Sequence, residues 1–286
     1  MSEQWLALDG QLVSDREANV PATGGVLYGY GVFETMRAYA GRVFRLDAHE
    51  ARLRDGARAL AFAVPFDGDE LRRAIQAVLD RNGLTGVDAA VRITLEGDPP
   101  PLDGEARLSL ARWIVTARPL VEYPESLYER GAAAVVAAVR RNETSPLSRL
   151  KTLNYLDNLL ARRAARAAGA DEALMLNTQG NLAEGAASNI FILRGRQLVT
   201  PLIDDGALPG VARATVLDLA PTLGLEPLET TLTPDILRAA DEAFLTNSLM
   251  EVLPLVLLDG APLAGGKPGP NARRLREAYR AVATPH

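Results

Sequence analysis

Arg149-Leu150-Lys151-Thr152-Leu153-Asn154-Tyr155-Leu156 and, further on, Glu184-Gly185-Ala186-Ala187-Ser188-Asn189-Ile190-Phe191 are the stretches that decide how this chain is read. The first puts a lysine at a strand edge before a helix. The second puts one acidic residue in a turn-rich strand, followed by small residues that let a ligand approach closely. In most chains a lysine and a glutamate at this separation are two surface residues. They acquire meaning only if the rest of a site can be found around them.

Outward from these stretches, the N-terminal part alternates strand and helix. Val32 to Tyr39 and Arg42 to Leu46 read as alternating strands around the hairpin signal Ala40-Gly41. Asp47 followed by Glu50 reads as a helix-opening capping box, with Leu53, Ala57 and Leu60 as that helix's buried stripe. A second helix is expected from about Asp69 to Asn82, with Leu71, Ile75, Val78 and Leu79 inward and Gly83 as its stop. Val87 to Leu95 and Ala106 to Ala117 read as strands joined by the loop Gly97 to Pro101. Pro119 to Pro124 is the linker candidate, since two prolines disfavour regular structure there. Beyond it, Ala132 to Val139 reads as a buried strand and Asn154 to Ala168 as a helix stopped by Gly169. Pro209 to Leu223 reads as a helix, Thr233-Pro234 opens a shorter one, and Glu242 to Thr246 is a strand. Pro268-Gly269-Pro270 breaks the chain before a last helix, Ala272 to Val282.

Composition narrows the chemistry. At 286 residues, 48% hydrophobic and 23% charged, the chain has the make-up of an ordinary globular protein with room for two modest domains or one large one. A net charge of −5 exerts no global pull on nucleic acid or anionic membrane. With no cysteine, disulfides, thiolate nucleophiles and sulfur-ligated metals are excluded. Two histidines, His49 and His286, leave little for a zinc site or a Ser-His-Asp triad, and no metal is expected. No apolar run is long enough to span a bilayer, and Met1 to Gly10 lacks an apolar signal segment, so the expected location is cytoplasmic.

Lys151 and Glu184 suit pyridoxal 5′-phosphate (PLP) chemistry: an amine to form a Schiff base, and a carboxylate to favour a protonated, electron-withdrawing pyridine ring. A phosphate needs donors. Leu208-Pro209-Gly210-Val211-Ala212-Arg213 has the build of an anion-binding helix mouth, with the amides of Val211 and Ala212 as donors, or of an ordinary Pro-Gly helix start. Arg52, flanking its helix's buried stripe, is a guanidinium clamp or a solvated helix arginine. Ser248, at the end of Leu245-Thr246-Asn247-Ser248, is a third phosphate candidate or a turn serine.

In order along the chain, these segments resemble the fold-type IV PLP enzymes, the class IV aminotransferases. The matching segments are Gly31 to Arg37, His49 to Leu53, Lys151 to Asn154, Glu184 to Phe191, Leu208 to Arg213 and Thr246 to Val252. The family includes branched-chain and D-amino acid aminotransferases, (R)-amine transaminases and 4-amino-4-deoxychorismate lyases. The resemblance implies an α+β, two-domain fold: a small α/β N-terminal domain (1–118), a linker (119–124) and a larger PLP-binding domain (125–286) with a strand-rich pseudo-barrel, the site at their interface. It implies Lys151 as the Schiff-base lysine, Glu184 at the pyridine nitrogen, and Arg52, Val211, Ala212 and Ser248 at the phosphate. It also implies Leu208 on the ring face and Ser188, Asn189 and Asn247 in the cofactor site. Tyr155 faces the cofactor or merely packs. A homodimer is implied too, each site completed by a loop of the partner.

The resemblance covers several reactions. Lys-x-Leu-Asn at 151–154, a spacing that also occurs in D-amino acid aminotransferases, and Thr246-Asn247-Ser248 look like the lyases. Phe33-Glu34-Thr35-Met36-Arg37 is similar to both lyases and, with Thr in place of Gly, branched-chain enzymes. Val91 to Leu95 lacks the Arg-x-His carboxylate trap of D-amino acid aminotransferases. Phe33, Thr35, Arg37 and Arg92 are the substrate candidates; either arginine binds a carboxylate or is a strand arginine. The first reading is transfer of an amino group from a small amino acid or amine to a 2-oxo acid, by ping-pong kinetics. The alternative is the lyase, which releases pyruvate to give 4-aminobenzoate. A third is a non-catalytic PLP-binding protein.

Overall fold

A computed structural model describes residues 3–99, 109–121 and 123–284. The expected loop positions Pro100 and Pro101, the strand start Ala106 to Leu108 and the linker residue Glu122 lie outside the described residues. The chain forms two compact units. One is Met1–Val121 with Leu150–Asn154 and Ala283–His286; the other is Glu122–Arg149 with Tyr155–Val282.

In the first unit, β1 (Trp5–Leu8), β2 (Gln11–Ser14) and a short α1 (Gly24–Tyr28) lead into the long β3 (Gly31–Tyr39) and β4 (Arg42–Val43). Then come α2 (Leu46–Ala59), β5 (Phe62–Ala63), α3 (Gly68–Arg81), β6 (Ala89–Glu96), β7 (Ser109–Leu110) and β8 (Arg112–Pro119). Among the described residues six strands join in the order β2-β1-β8-β6-β3-β4. Period-2 alternation sends Val32, Met36 and Ala38 of β3, with Val91, Ile93 and Leu95 of β6, into the core with Leu53, Leu71, Val78 and Leu79 of the helices. Phe33, Thr35 and Arg37 take the other face.

The expected hairpin forms at Ala40-Gly41, both residues having positive φ (45° and 84°), the primed-turn geometry that matches strand twist. Its return strand is shorter than expected. The strand Arg42 to Leu46 stops at Val43, and α2 begins at Leu46 behind Arg45, which is left-handed and makes no side-chain cap. Asp47 therefore lies inside the first turn rather than capping it, and Glu50 pairs with Arg54 at 2.8 Å. The capping box occurs one helix later, where Asp67 and Glu70 cap α3 reciprocally.

The second unit runs α4 (Glu125–Arg130), β9 (Ala132–Arg141), α5 (Leu156–Ala167), β10 (Glu172–Asn177), β11 (Leu182–Gly185), β12 (Asn189–Arg194) and β13 (Gln197–Thr200). It continues with α6 (Val211–Leu219), β14 (Glu226–Glu229), α7 (Pro234–Arg238), β15 (Glu242–Asn247), β16 (Glu251–Leu258), β17 (Ala261–Pro262) and α8 (Pro270–Ala283). Nine strands among the described residues make one mixed sheet, β11-β10-β9-β16-β15-β12-β13-β14 with β17 beside β16. β9 is parallel to both β10 and β16, but the strand expected to be buried is only partly so: Ala132, Ala134 and Ala137 are inside, while Ala138 is exposed. Thr233 caps α7 by accepting from Ile236 N at 3.3 Å, as its sequence suggests. Among the described residues no helix is long and apolar enough to cross a membrane.

Candidate active site

Lys151 belongs to the first unit because the chain returns there to cover an open strand edge. β4 pairs only with Ala38 and Tyr39, which leaves the start of β3 unpaired on that side. Residues 151–153 fill the gap: Phe33 N donates to Lys151 O and Leu153 N to Gly31 O, both at 2.9 Å, and Thr152 bridges Val32. Asn154 locks the exit by donating to Gly29 O at 3.0 Å. This short ladder sets the lysine beside Phe33, with Nζ 4.6 Å from the ring centroid. The guanidinium of Arg92 lies 3.8 Å over the same ring, close enough for a cation–π contact.

Strand register builds a grid around Phe33. Thr35, Arg92 and Thr116 face one another across β3, β6 and β8, and Arg37, Ala90 and Arg118 form the next row. The small side chain of Ala90 leaves a hollow of about 340 Å³ lined by Gln4, Thr35, Arg92, Thr116 and Arg118. Arg37 is committed elsewhere: it meets Asp88 at 2.6 Å and stacks 4.4 Å over Tyr39.

Arg52 reaches inward from α2 but lands on an acid. Its Nε and Nη2 donate to the two oxygens of Glu34 at 2.7 and 2.6 Å, and His49 Nδ1 lies 2.7 Å from Glu34 Oε2. Glu34 is 1% exposed. Burial pushes its carboxyl up, but the Arg52 charge and the hydrogen bonds from His49 and Arg52 outweigh this and hold the pKa at about 2. Burial lowers the pKa of His49 against the pull of Glu34. Sequence reading passed over both residues. The available signal was an acid at a core-facing position, between Val32 and Met36, opposite a helix carrying His49 and Arg52 three apart.

In the second unit, β11 carries Glu184, 5% exposed, with Arg141 Nη2 at 3.0 Å and the amide of Leu208 donating to it at 2.9 Å. Arg141, at the end of β9, carried no motif in sequence. Asn189 Nδ2 donates to Leu208 O at 2.9 Å, so Leu208 is held from both sides. Gly210 caps α6 at the tightest point of this turn: a Cβ there would meet Asn189 Oδ1 at 2.0 Å. The first amides of α6, at Val211 and Ala212, follow directly. Tyr155 OH donates to Ala186 O at 3.0 Å, and burial, reinforced by the Glu184 charge, raises its pKa. Ser188 Oγ donates to the buried Glu172 at 2.8 Å. Asn247 Oδ1 accepts from the amides of Leu249 and Met250, and its Nδ2 donates to Ala187 O. Next to it the Thr246 hydroxyl, fully buried, has no hydrogen-bond partner; sequence reading did not single it out.

These arrangements fit PLP. The first unit, taken by itself, offers an amine and a guanidinium. The second, taken by itself, offers a buried carboxylate that could accept from a protonated pyridine nitrogen, and a glycine-led helix mouth and an orphaned buried hydroxyl, donors of the kind a phosphate needs.

Residues 31–258 match the family model for amino-transferase class IV. The chain is 34% identical to a putative branched-chain-amino-acid aminotransferase of Methanocaldococcus jannaschii over 97% of its own length and 96% of that protein's. Its fold is similar to the crystal structure of the branched-chain aminotransferase of the archaeon Thermoproteus uzoniensis with norvaline (TM-score 0.88, 35% identity, 99% of this chain and 95% of that one). It is also similar to the branched-chain amino acid aminotransferase of Thermobaculum terrenum in its PLP form (TM-score 0.85, 30% identity, 98% and 94%). A match over most of the chain, in sequence and in fold, makes this protein a member of the class IV aminotransferases, an enzyme whose cofactor is PLP.

Proposed function

We propose that the enzyme transfers the amino group of branched-chain amino acids to 2-oxoglutarate by ping-pong turnover, through a covalent link to Lys151. The observation that carries this reading is the end-to-end similarity to proteins named as branched-chain aminotransferases, in sequence and in fold. When bound, PLP supplies an electrophilic carbonyl and an electron-withdrawing ring.

The chain's residues then divide the work. Lys151 would hold the cofactor through Nζ, and the same amine, when free, would move the proton at the substrate α carbon. Its backbone ladder to Phe33 and Gly31 holds it in reach while the side chain swings. Glu184 takes the pyridine nitrogen, oriented by Arg141 and the Leu208 amide. In the first unit Arg52, fixed in direction by Glu34, would hold a phosphate; in the second the Val211 and Ala212 amides and Ser248 would be the phosphate donors. Arg92 receives a substrate carboxylate beside Phe33 and Thr35. Arg37, neutralised by Asp88, is the weaker candidate.

The lyase alternative drew on Asn154 and on Thr246-Asn247-Ser248. Asn154 and Asn247 both have backbone tasks, at Gly29 and at Leu249 and Met250, that serve either reaction. Leucine added alone is expected to convert the bound cofactor once and stop; 2-oxoglutarate then restores its original absorbance. No spectral change with any amino acid, and pyruvate released catalytically from aminodeoxychorismate, would reverse the assignment. The working form is proposed to be a homodimer. α1 exposes Val26, Leu27 and Tyr28 side by side, at 61%, 60% and 67%, an apolar patch suited to a second copy. A monomeric mass for active protein in sedimentation would refute it.

A further inference from the structure

The turn between β15 and β16 ends on a residue of the wrong type for its backbone. Asn247 pairs with Glu251 across the two strands, leaving a three-residue loop, Ser248-Leu249-Met250. The residue that follows the loop, Glu251, has φ +64°, a backbone conformation that favours glycine, and no exposed surface. The carboxylate is held instead by the C-terminal helix. Arg280 Nε donates to Glu251 Oε2 at 2.7 Å and Arg276 Nε at 3.4 Å. Arg276 is fixed in turn by Glu125 at 2.7 and 2.9 Å, and lies 3.3 Å over the Tyr128 ring. Tyr128 OH closes the circuit by donating to Met250 O at 2.8 Å.

A glycine would adopt this φ without strain and would also let the turn relax. A glutamate whose charge is clamped by two arginines cannot. We propose that Glu251 is a positioning residue: through Arg276 and Arg280 it locks the Ser248–Met250 turn in the one geometry that grips the phosphate of PLP. This rests on the reading that Ser248 faces that phosphate. The C-terminal helix is thereby tied to cofactor retention without touching the cofactor.

The decisive comparison uses the full chain and two ligands, PLP and pyridoxal, which lacks the phosphate. Glu251→Gly relieves the backbone but removes the clamp and leaves a void, so it is expected to fold with a lowered thermal midpoint, while Arg276 keeps Glu125. It should lose PLP affinity by about tenfold or more, the scale of a lost charged hydrogen bond, with pyridoxal affinity changed by less than about twofold. Glu251→Gln should move the same way. Arg280→Gln, on a half-exposed side chain, should lose roughly three- to fivefold and carries the test if the Glu251 variants do not fold. Wild-type PLP affinity in Glu251→Gly, or in a folded Arg280→Gln, overturns the proposal. An equal loss for PLP and pyridoxal also overturns it, because the clamp would then be merely structural. Ser248→Ala keeps the two readings apart. If it weakens PLP selectively while Glu251→Gly does not, the clamp fails and the phosphate reading stands. If Ser248→Ala leaves PLP affinity intact, the phosphate reading fails.

Discussion

Glu34 in the first unit and Glu184 in the second are both buried glutamates matched to an arginine, yet they are built for different tasks. Glu34 spends both oxygens on the Arg52 fork and takes His49 besides, a closed cluster of side chains. Glu184 meets an Arg141 nitrogen and the backbone amide of Leu208. The first arrangement fixes the direction of a guanidinium. The second fixes the direction of a carboxylate. A buried ion pair contributes little net stability against a hydrophobic alternative, but breaking one strands a charge. On the proposed reading both act as orienting devices, Glu34 for the Arg52 guanidinium and Arg141 for the Glu184 carboxylate.

The largest expected effect lies on the lysine side. Lys151→Ala should lower turnover by about 10⁴-fold or more, since anchor and base are lost together. The sequence has only one other lysine, the exposed Lys267 of the second unit. Borohydride reduction followed by peptide mapping decides the point, and label on Lys267 in the wild type would break the assignment. Next comes Glu184→Gln, expected to slow the amine half-reaction on the order of 10²–10³-fold while cofactor stays bound, as loss of a transition-state electrostatic partner does. Unchanged single-turnover rates would mean that Glu184 serves Arg141 alone.

Arg52→Ala should do two things at once. Cofactor affinity should fall by about one to two decades, and stability by about 3–5 kcal/mol, because Glu34 is left buried and unmatched. Arg52→Ala/Glu34→Gln should recover much of the stability but none of the affinity; denaturant melts and dialysis read the two separately. If the double variant recovers both, Arg52 has no ligand role.

Acid provides a milder probe of the same contrast. The Glu34 carboxyl lies at about 2 in the folded protein against 4.5 ordinarily, so below 4.5 the unfolded chain takes up a proton that the native one refuses. Stability from this group is complete above pH 4.5 and lost as pH falls towards 2, about 3 kcal/mol at 1.4 kcal/mol per unit. His49, lowered from 6.5, starts the decline earlier: the unfolded imidazole charges first, so stability falls as pH drops below 6.5. His49→Gln should flatten the slope just below pH 6.5 in urea titrations and leave the lower limb. An unchanged upper slope would remove His49 from the account. The smallest effect is expected beside Glu184, where Tyr155→Phe deletes one hydrogen bond to Ala186 O and should cost about 0.5–1.5 kcal/mol in the same titrations.

Local signals determined much of this molecule from sequence. The Ala40-Gly41 hairpin, the buried stripe of α3, the Thr233 cap and the glycine stops depend on neighbours a few residues apart, where propensity and periodicity act. The family emerged from the order of six short segments, each weak alone. Tertiary structure decided the pairings. That residues 151–153 complete the edge of β3, that Glu34 takes Arg52 and His49, and that Arg141 takes Glu184 are contacts between residues far apart in the chain. Ion pairs carry no periodicity, and strand edges do not announce what will cover them. Glu251 shows the limit most clearly: a glutamate in a glycine's backbone position looks like any strand residue until the helix that clamps it has folded against it.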